Sequence, residues 1–295
     1  YLVDNEVMNK LLREAYKRSK YEVKASHILI KFPRPTSYED TLHALEKTWN
    51  IRKRIIQKDE HFSQVARATS DDPSVKSNGG NLGYFSALQM VYPFENKAYQ
   101  MKKGQVSQPF RTRYGYHLIK KTGERQAKGR IKVAHIMLVA SQSMPEEKRN
   151  EKKDQINELY HRLKQGEAFE KLAEKYSEDK SSAPQGGELP WFGVGRMVPA
   201  FEKAAFSLEQ KGQYTRPVKT PIGWHIIKLL DRKKPGSFEE EKTELKRKIT
   251  NSPRYEISQD SLLAELKKEY ALTEKKGNFL DLYQFVDQEN HRLKK

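Results

Sequence analysis

The 295-residue chain contains no cysteine, which excludes disulfides, thiol nucleophiles and thiolate metal sites. It has no apolar run approaching the roughly 20 residues that a membrane-crossing helix needs. No serine stands in a strand-to-helix nucleophile elbow. The chain opens Tyr1-Leu2-Val3 without an initiator methionine or a secretory apolar segment, the pattern expected where a targeting segment is missing. An extracytoplasmic compartment is compatible with the lack of cysteine but does not follow from it.

Charge is abundant. Charged residues make up 32% of the chain and hydrophobic residues 36%, with a formal net charge of +17 at pH 7, a balance that favours acidic partners such as nucleic acid, anionic lipid or acidic polypeptide. Yet lysine and arginine are interleaved with glutamate, as in Glu239-Glu240-Glu241-Lys242-Thr243-Glu244-Leu245-Lys246, which describes a solvated helix face. The aromatics fall in strand and helix patterns and form no stacking platform, so nucleic acid is not the expected partner.

Residues 78–121 recur at 185–228. Gly79-Gly80 and Gly186-Gly187 open the two copies, Leu82, Met90 and Phe94 are answered by Leu189, Met197 and Phe201, and Tyr116-His117-Leu118-Ile119-Lys120 by Trp224-His225-Ile226-Ile227-Lys228. Upstream, Ala25-Ser26-His27-Ile28-Leu29 is matched by Val133-Ala134-His135-Ile136-Met137, at the same offset of 108 residues that separates His117 from His225. A period this long exceeds the roughly 20–50 residues of a solenoid repeat and marks two copies of a domain.

Local patterns order each copy. Asp4 caps a helix over residues 4–18 whose apolar stripe, Val7, Met8, Leu11, Leu12, Ala15 and Tyr16, must bury against something. A strand over 23–31 puts Val23, Ala25, His27 and Leu29 on one face. Helices at 38–58 and 62–68, a helix opened by Pro93 and ended near Gly104, and short strands at 106–110 and 116–121 complete copy one. After an apolar-poor stretch at 123–129, copy two repeats the order, with a strand at 131–138, helices at 145–164 and 169–176, and a closing strand at 224–230. Two helices follow at 238–249 and 255–270. A last apolar patch, Phe279, Leu280, Leu282, Tyr283, Phe285 and Val286, reads as a helix seeking a partner, with the N-terminal helix as one candidate. The expected class is α+β: an N-terminal helical segment (1–22), two domains (23–124 and 131–232) joined by a linker (125–130), each a small antiparallel sheet wrapped by helices, and a C-terminal helical segment (233–295).

In copy one His27 and His117 share the apolar side of the sheet with Asp72 in a neighbouring loop, and Leu82, Met90 and Phe94 lie between them in sequence. Two histidines and one aspartate could be stretched into a metal site, which needs three or four ligands, but neither metal nor cofactor is expected. A buried, hydrogen-bonded core histidine is the alternative at each strand position, and duplication of a core would repeat it. Met90, Phe94, Met197 and Phe201 have core packing as their alternative.

The order of motifs (strand His, Ser-acid-acid loop, GGxLG, aromatic-Phe, Met-(x)3-Phe-Glu, closing-strand His) resembles the parvulin (PpiC-type) family of peptidyl-prolyl cis/trans isomerases, whose fold is FKBP-like. Two such domains between helical segments resemble SurA-like periplasmic chaperones. The resemblance implies histidine pairs with a neighbouring acid at His27, His117 and Asp72 and at His135, His225 and Asp179. It implies hydroxyls bonded into those pairs at Thr112 and Thr220, and proline-ring pockets at Leu82, Met90 and Phe94 and at Leu189, Met197 and Phe201. It implies a cofactor-free foldase in the periplasm or cell envelope, with unfolded polypeptides bearing Xaa-Pro bonds, outer-membrane proteins among them, as partners. A non-catalytic holdase is the first alternative and a basic polyanion-binding adaptor the second.

Asp72 and Asp179 stand where some parvulins carry cysteine, so a thiolate mechanism is excluded. The loop Phe32-Pro33-Arg34-Pro35-Thr36 carries no adjacent arginine pair, so phosphorylated substrates are not expected. Copy two has Pro190 for Gly83 and Ile222 for Tyr114, and the GGNLG turn of copy one, closer to the family pattern, favours copy one as the working copy.

Overall fold

The computed structural model describes residues 5–269. Helix α1 (Asn5–Ser19) leads into an antiparallel sheet made of β1 (Tyr21–Lys31), β2 (Asn81–Phe85), β3 (Phe110–Thr112) and β4 (Gly115–Gln126), in spatial order β2-β1-β4-β3. A second sheet holds β5 (Arg130–Val139), β6 (Val218–Lys219) and β7 (Gly223–Lys233) in the order β5-β7-β6. Where the first sheet has β2, the second makes only single bridges, Ala134 to Glu188 and Ile131 to Phe192. The α+β class holds, with each sheet wrapped by helices.

The central strands are covered on both faces, and each carries buried apolar residues on both. On one face of the first sheet, Ile28, Ile30 and Leu118 meet α2 (Tyr38–Gln57) and α3 (Phe62–Thr69) through Ala44, Ile51, Ile55, Phe62 and Val65. A single turn, α4 (Val75–Asn78), follows α3, and α5 (Tyr92–Gln100) covers the opposite face, packing Phe94 and Ala98 on Val23, Ala25 and Ile119. In copy two, α6 (Glu146–Lys164) and α7 (Phe169–Tyr176) cover Ala134, Ile136, Leu138 and Ile226, while α8 (Pro199–Ser207) brings Phe201 and Phe206 onto Ile131, Val133, Ile227 and Leu229. Ser37 starts α2 with a capping box that includes Asp40, satisfying amides that a helix start leaves free.

The N-terminal stripe finds its partner in α9 (Phe238–Thr250): Met8, Leu11, Leu12 and Ala15 bury against Leu245 and Ile249. The apolar patch at 279–286 lies outside the described residues. Helix α10 (Arg254–Glu269) sends Arg254 to the buried Glu95 of α5, which Arg18 of α1 also reaches at 3.2 Å. The terminal helices thus grip the helix that carries Phe94.

Two expectations are corrected. The strand expected at 106–110 is one bridge, Val106 to Lys120, and the regular strand starts at Phe110. The charged stretch beginning at Gly123 is, through Gln126, the end of β4, paired with β1 beyond a bulge. Its charges are accommodated because Arg125 Nε and the Lys128 amide donate to the buried Glu22 carboxylate at 2.6 and 2.8 Å.

Candidate active site

Register brings the histidines together. His27 pairs with Ile119 and His117 with Leu29 across β1 and β4, so the two imidazoles are diagonal neighbours on one face. His135 and His225 repeat this across β5 and β7, opposite Ile227 and Met137.

The Ser-acid-acid loop then divides its labour. Ser70 Oγ accepts the Leu29 amide at 3.1 Å and Asp71 accepts the Lys31 amide at 2.9 Å, lashing the loop to the strand. Asp72 is left facing His27, with Oδ2 2.7 Å from Nε2. In copy two Ser177 accepts the Met137 amide and Glu178 that of Val139, while Asp179 Oδ2 lies 2.8 Å from His135 Nε2. The second glycine of each pair permits the close approach of the following loop. Gly80 and Gly187 both have φ +83°, and a Cβ there would sit 2.4 Å from the His27 carbonyl oxygen or 2.2 Å from that of His135.

Each site is an aromatic box. The His27 and His117 rings stack with centroids 5.9 Å apart, and Phe94 presents its edge to both at 5.7 Å. In copy two the histidine rings are 5.5 Å apart and Phe201 meets them at 5.7 and 5.3 Å. Leu82 and Met90 are half-buried beside Phe94, as Leu189 and Met197 are beside Phe201. Thr112 Oγ1 is 2.8 Å from His117 Nε2 and Thr220 Oγ1 2.9 Å from His225 Nε2. Every residue picked out as a site candidate therefore falls within one of two clusters.

Burial lowers the pKa of all four histidines, against the pull of the aspartates: His117 to about 3 and His225 to about 4, each helped down by its partner histidine. They are neutral near pH 7. Burial pushes Asp72 and Asp179 up, but hydrogen bonds from Ser74, or from Ser181 and Ser182, together with the histidine, outweigh it and hold both carboxyls below their ordinary value.

These states order the protons in copy two. The Asp179 carboxylate accepts a hydrogen bond from the Nε2–H of neutral His135, which leaves His135 Nδ1 as an acceptor. His225 Nδ1, 3.4 Å away, is then the protonated partner in a long hydrogen bond, and His225 Nε2 accepts from the Thr220 hydroxyl, whose proton is shared with the Gly223 carbonyl at 3.2 Å. In copy one the chain is open, since the buried Nδ1 atoms of His27 and His117 have no partner among the described residues.

One residue of the box escaped the sequence reading. Phe110 stacks on the outer face of His117 at 5.5 Å and touches Phe94 at 6.0 Å. The signal was its place two residues before Thr112, on the strand that pairs Phe110 with His117. Copy two has Val218 at this register, opposite His225, so its box lacks that wall. Among the described residues no three His, Asp or Glu side chains converge as a metal site.

A family model described as a PPIC-type PPIASE domain matches residues 27–123, and a second with the same description matches 119–233. The chain belongs to the parvulin family. It carries two PPIC-type domains in tandem. It is 30% identical over 271 residues to the chaperone SurA of Pseudomonas fluorescens strain Pf0-1, covering 90% of this chain and 62% of that protein. It is 33% identical over 245 residues to the chaperone SurA of Methylobacillus flagellatus, covering 81% and 54%. Among solved structures, NmPin, the parvulin of Nitrosopumilus maritimus, is 32% identical, covering 35% of this chain and 96% of that one with a TM-score of 0.29. The chain thus spans less than two thirds of the length of these curated relatives.

Proposed function

We propose that this chain is a parvulin-type peptidyl-prolyl cis/trans isomerase that also acts as a chaperone for unfolded polypeptides of the cell envelope. The observation that carries the reading is the duplicated box, in which a phenylalanine edge closes over two stacked, neutral histidines backed by a carboxylate. Rotation about a prolyl bond crosses a barrier of roughly 18–20 kcal/mol through a twisted amide that has lost its resonance. No covalent bond need break. Leu82, Met90 and Phe94, or Leu189, Met197 and Phe201, would hold the proline ring out of water, and the polarised histidine pair would favour the twisted amide over the planar one. Asp72 and Asp179 would fix ring orientation and field, with Thr112 and Thr220 anchoring the second histidine of each pair.

Residues 21–126 and 130–233 would be the two folding units, with 127–129 as linker and α1, α9 and α10 as a shared helical module. The closed Thr220-His225-His135-Asp179 chain favours copy two as the working isomerase, against the expectation drawn from the GGNLG turn. Copy one, with Phe110 narrowing its box, would then serve mainly client binding and contribute the smaller share of catalysis. Clients would be extended segments containing aromatic residues and proline, those of outer-membrane proteins among them, met in the periplasm, as the likeness to the SurA chaperones supports. No cofactor enters this scheme.

The test is refolding of a protein whose slow phase is limited by an Xaa-Pro bond. Substoichiometric amounts of the chain should shorten that phase. An unchanged slow phase alongside suppressed aggregation would favour a non-catalytic holdase, the reading that the open hydrogen-bond chain of copy one supports for that copy.

A further inference from the structure

We propose that the cleft where the linker meets the end of β7 is a binding site for a multivalent oxyanion of the phosphate class. The cleft encloses about 520 Å3, and Lys20, Lys128, Arg232 and Lys234 line it without an acidic side chain among its described lining residues. Several cations elsewhere are matched, Arg18, Arg125, Arg162 and Lys228 each meeting a glutamate. None of the four cleft cations forms an ion pair with a described carboxylate. The nearby acids are engaged, Glu22 by Arg125 and the Lys128 amide, Glu202 by the Gly195 amide at 2.6 Å, and Glu240, which lies in the field of Lys20, by the Ser237 amide and hydroxyl.

The cleft is built rather than a gap between loose loops. The Ala127 amide donates to the Lys20 carbonyl at 2.9 Å. Gly129, at φ +78°, lies so close to β7 that a Cβ would stand 2.1 Å from the Lys233 carbonyl oxygen. Arg232 Nη2 donates to the carbonyls of Phe206 and Leu208 at 3.2 and 2.7 Å, which fixes the guanidinium and leaves its buried Nε with no partner among the described residues. Lys20 Nζ is held on the Gly236 carbonyl at 2.5 Å, and the Lys128 ammonium lies 5.5 Å from the centroid of the Phe206 ring. Burial and the like charge of Arg125 and Arg232 lower the Lys128 pKa, with Glu22 opposing, as crowding of cations requires.

Four positive charges converging on one cleft select a multivalent anion over a monovalent one, because each added anionic charge meets the same field. An oxyanion there would bridge the linker to β7 and so fix the two sheets relative to one another. The same chemistry occurs in a free diphosphate and in an anionic lipid headgroup, and the test separates them.

The probe is inorganic pyrophosphate, titrated calorimetrically into the full chain, with phosphatidylglycerol vesicles as competitor. Saturable one-to-one binding is expected, weakened about tenfold or more in Lys128→Gln/Lys234→Gln and altered less than about twofold in Lys148→Gln/Lys153→Gln, which removes equal charge from α6. Displacement by vesicles identifies a headgroup site and its failure a free-anion site, and either result upholds the cleft. Circular dichroism verifies that both variants are folded. Absence of saturable binding, or equal weakening in the two variants, overturns the proposal.

Discussion

Acidification should destabilise copy two through His225, by an amount that can be worked from its surroundings. The ring is buried, and burial together with His135 lowers its pKa from 6.5 to about 4. A histidine depressed in the folded state binds its proton more readily when unfolded, so its stability contribution is whole above the unfolded value near 6.5 and is lost as pH falls towards the folded one. Between about pH 7.5 and pH 5 the unfolded ring becomes almost fully protonated while the folded ring stays mostly neutral, which costs about 2 kcal/mol. His135, lowered in the same direction, adds to the loss. The assay is urea unfolding followed by tryptophan fluorescence in a Trp49→Phe background, where the remaining tryptophans, Trp191 and Trp224, both report copy two. His225→Gln, which keeps a group near the Thr220 hydroxyl but does not titrate, should lose about 2 kcal/mol less on the same acidification. Equal losses in the two proteins would refute the claim that His225 is buried in its neutral form.

Further expectations follow from close contacts elsewhere. Gly187→Ala places a Cβ against the His135 carbonyl at a left-handed φ of +83° and should cost at least about 2 kcal/mol in urea unfolding; a neutral outcome would mean that the loop does not lie on the strand. Glu95→Gln leaves Arg18 and Arg254 facing a neutral amide in the interior and should cost about 3–5 kcal/mol, seen as faster amide exchange in α1 and α10. Unaltered exchange there would argue against the docking of the terminal helices on α5. Phe94→Leu should keep the fold at a loss of under about 2 kcal/mol while weakening proline-peptide binding to copy one in an NMR titration. A stability loss well above about 2 kcal/mol with peptide affinity intact would assign Phe94 to the core alone.

The repeat made the histidine pairs, both aspartates and the Met-Phe clusters legible, because equivalent residues recur at an offset of 107 or 108 residues, the histidines on strands whose register their own apolar pattern specifies. The same comparison was blind where the copies differ. Phe110 and Val218 share a register position but not a chemistry, so aligning the copies drew no attention to either. The end of β4 was misread because Glu124 and Arg125 look like linker until Glu22 is seen to lie beneath them, a tertiary partner that local pattern does not supply. The union of Arg18, Glu95 and Arg254 joins three helices far apart in sequence. The stripe on α1 announced that a partner exists, but nothing in its spacing named α9.

The central claim is that these boxes catalyse prolyl isomerisation. Its most direct test is exchange NMR on an unphosphorylated Xaa-Pro peptide, comparing the intact chain with Asp72→Ala, Asp179→Ala and the double variant. The account predicts a clear enhancement of cis/trans exchange, reduced about tenfold or more in Asp179→Ala and abolished in the double variant, with all three variants folded. No enhancement by the intact chain while the peptide is bound, or full enhancement in the double variant, would contradict it.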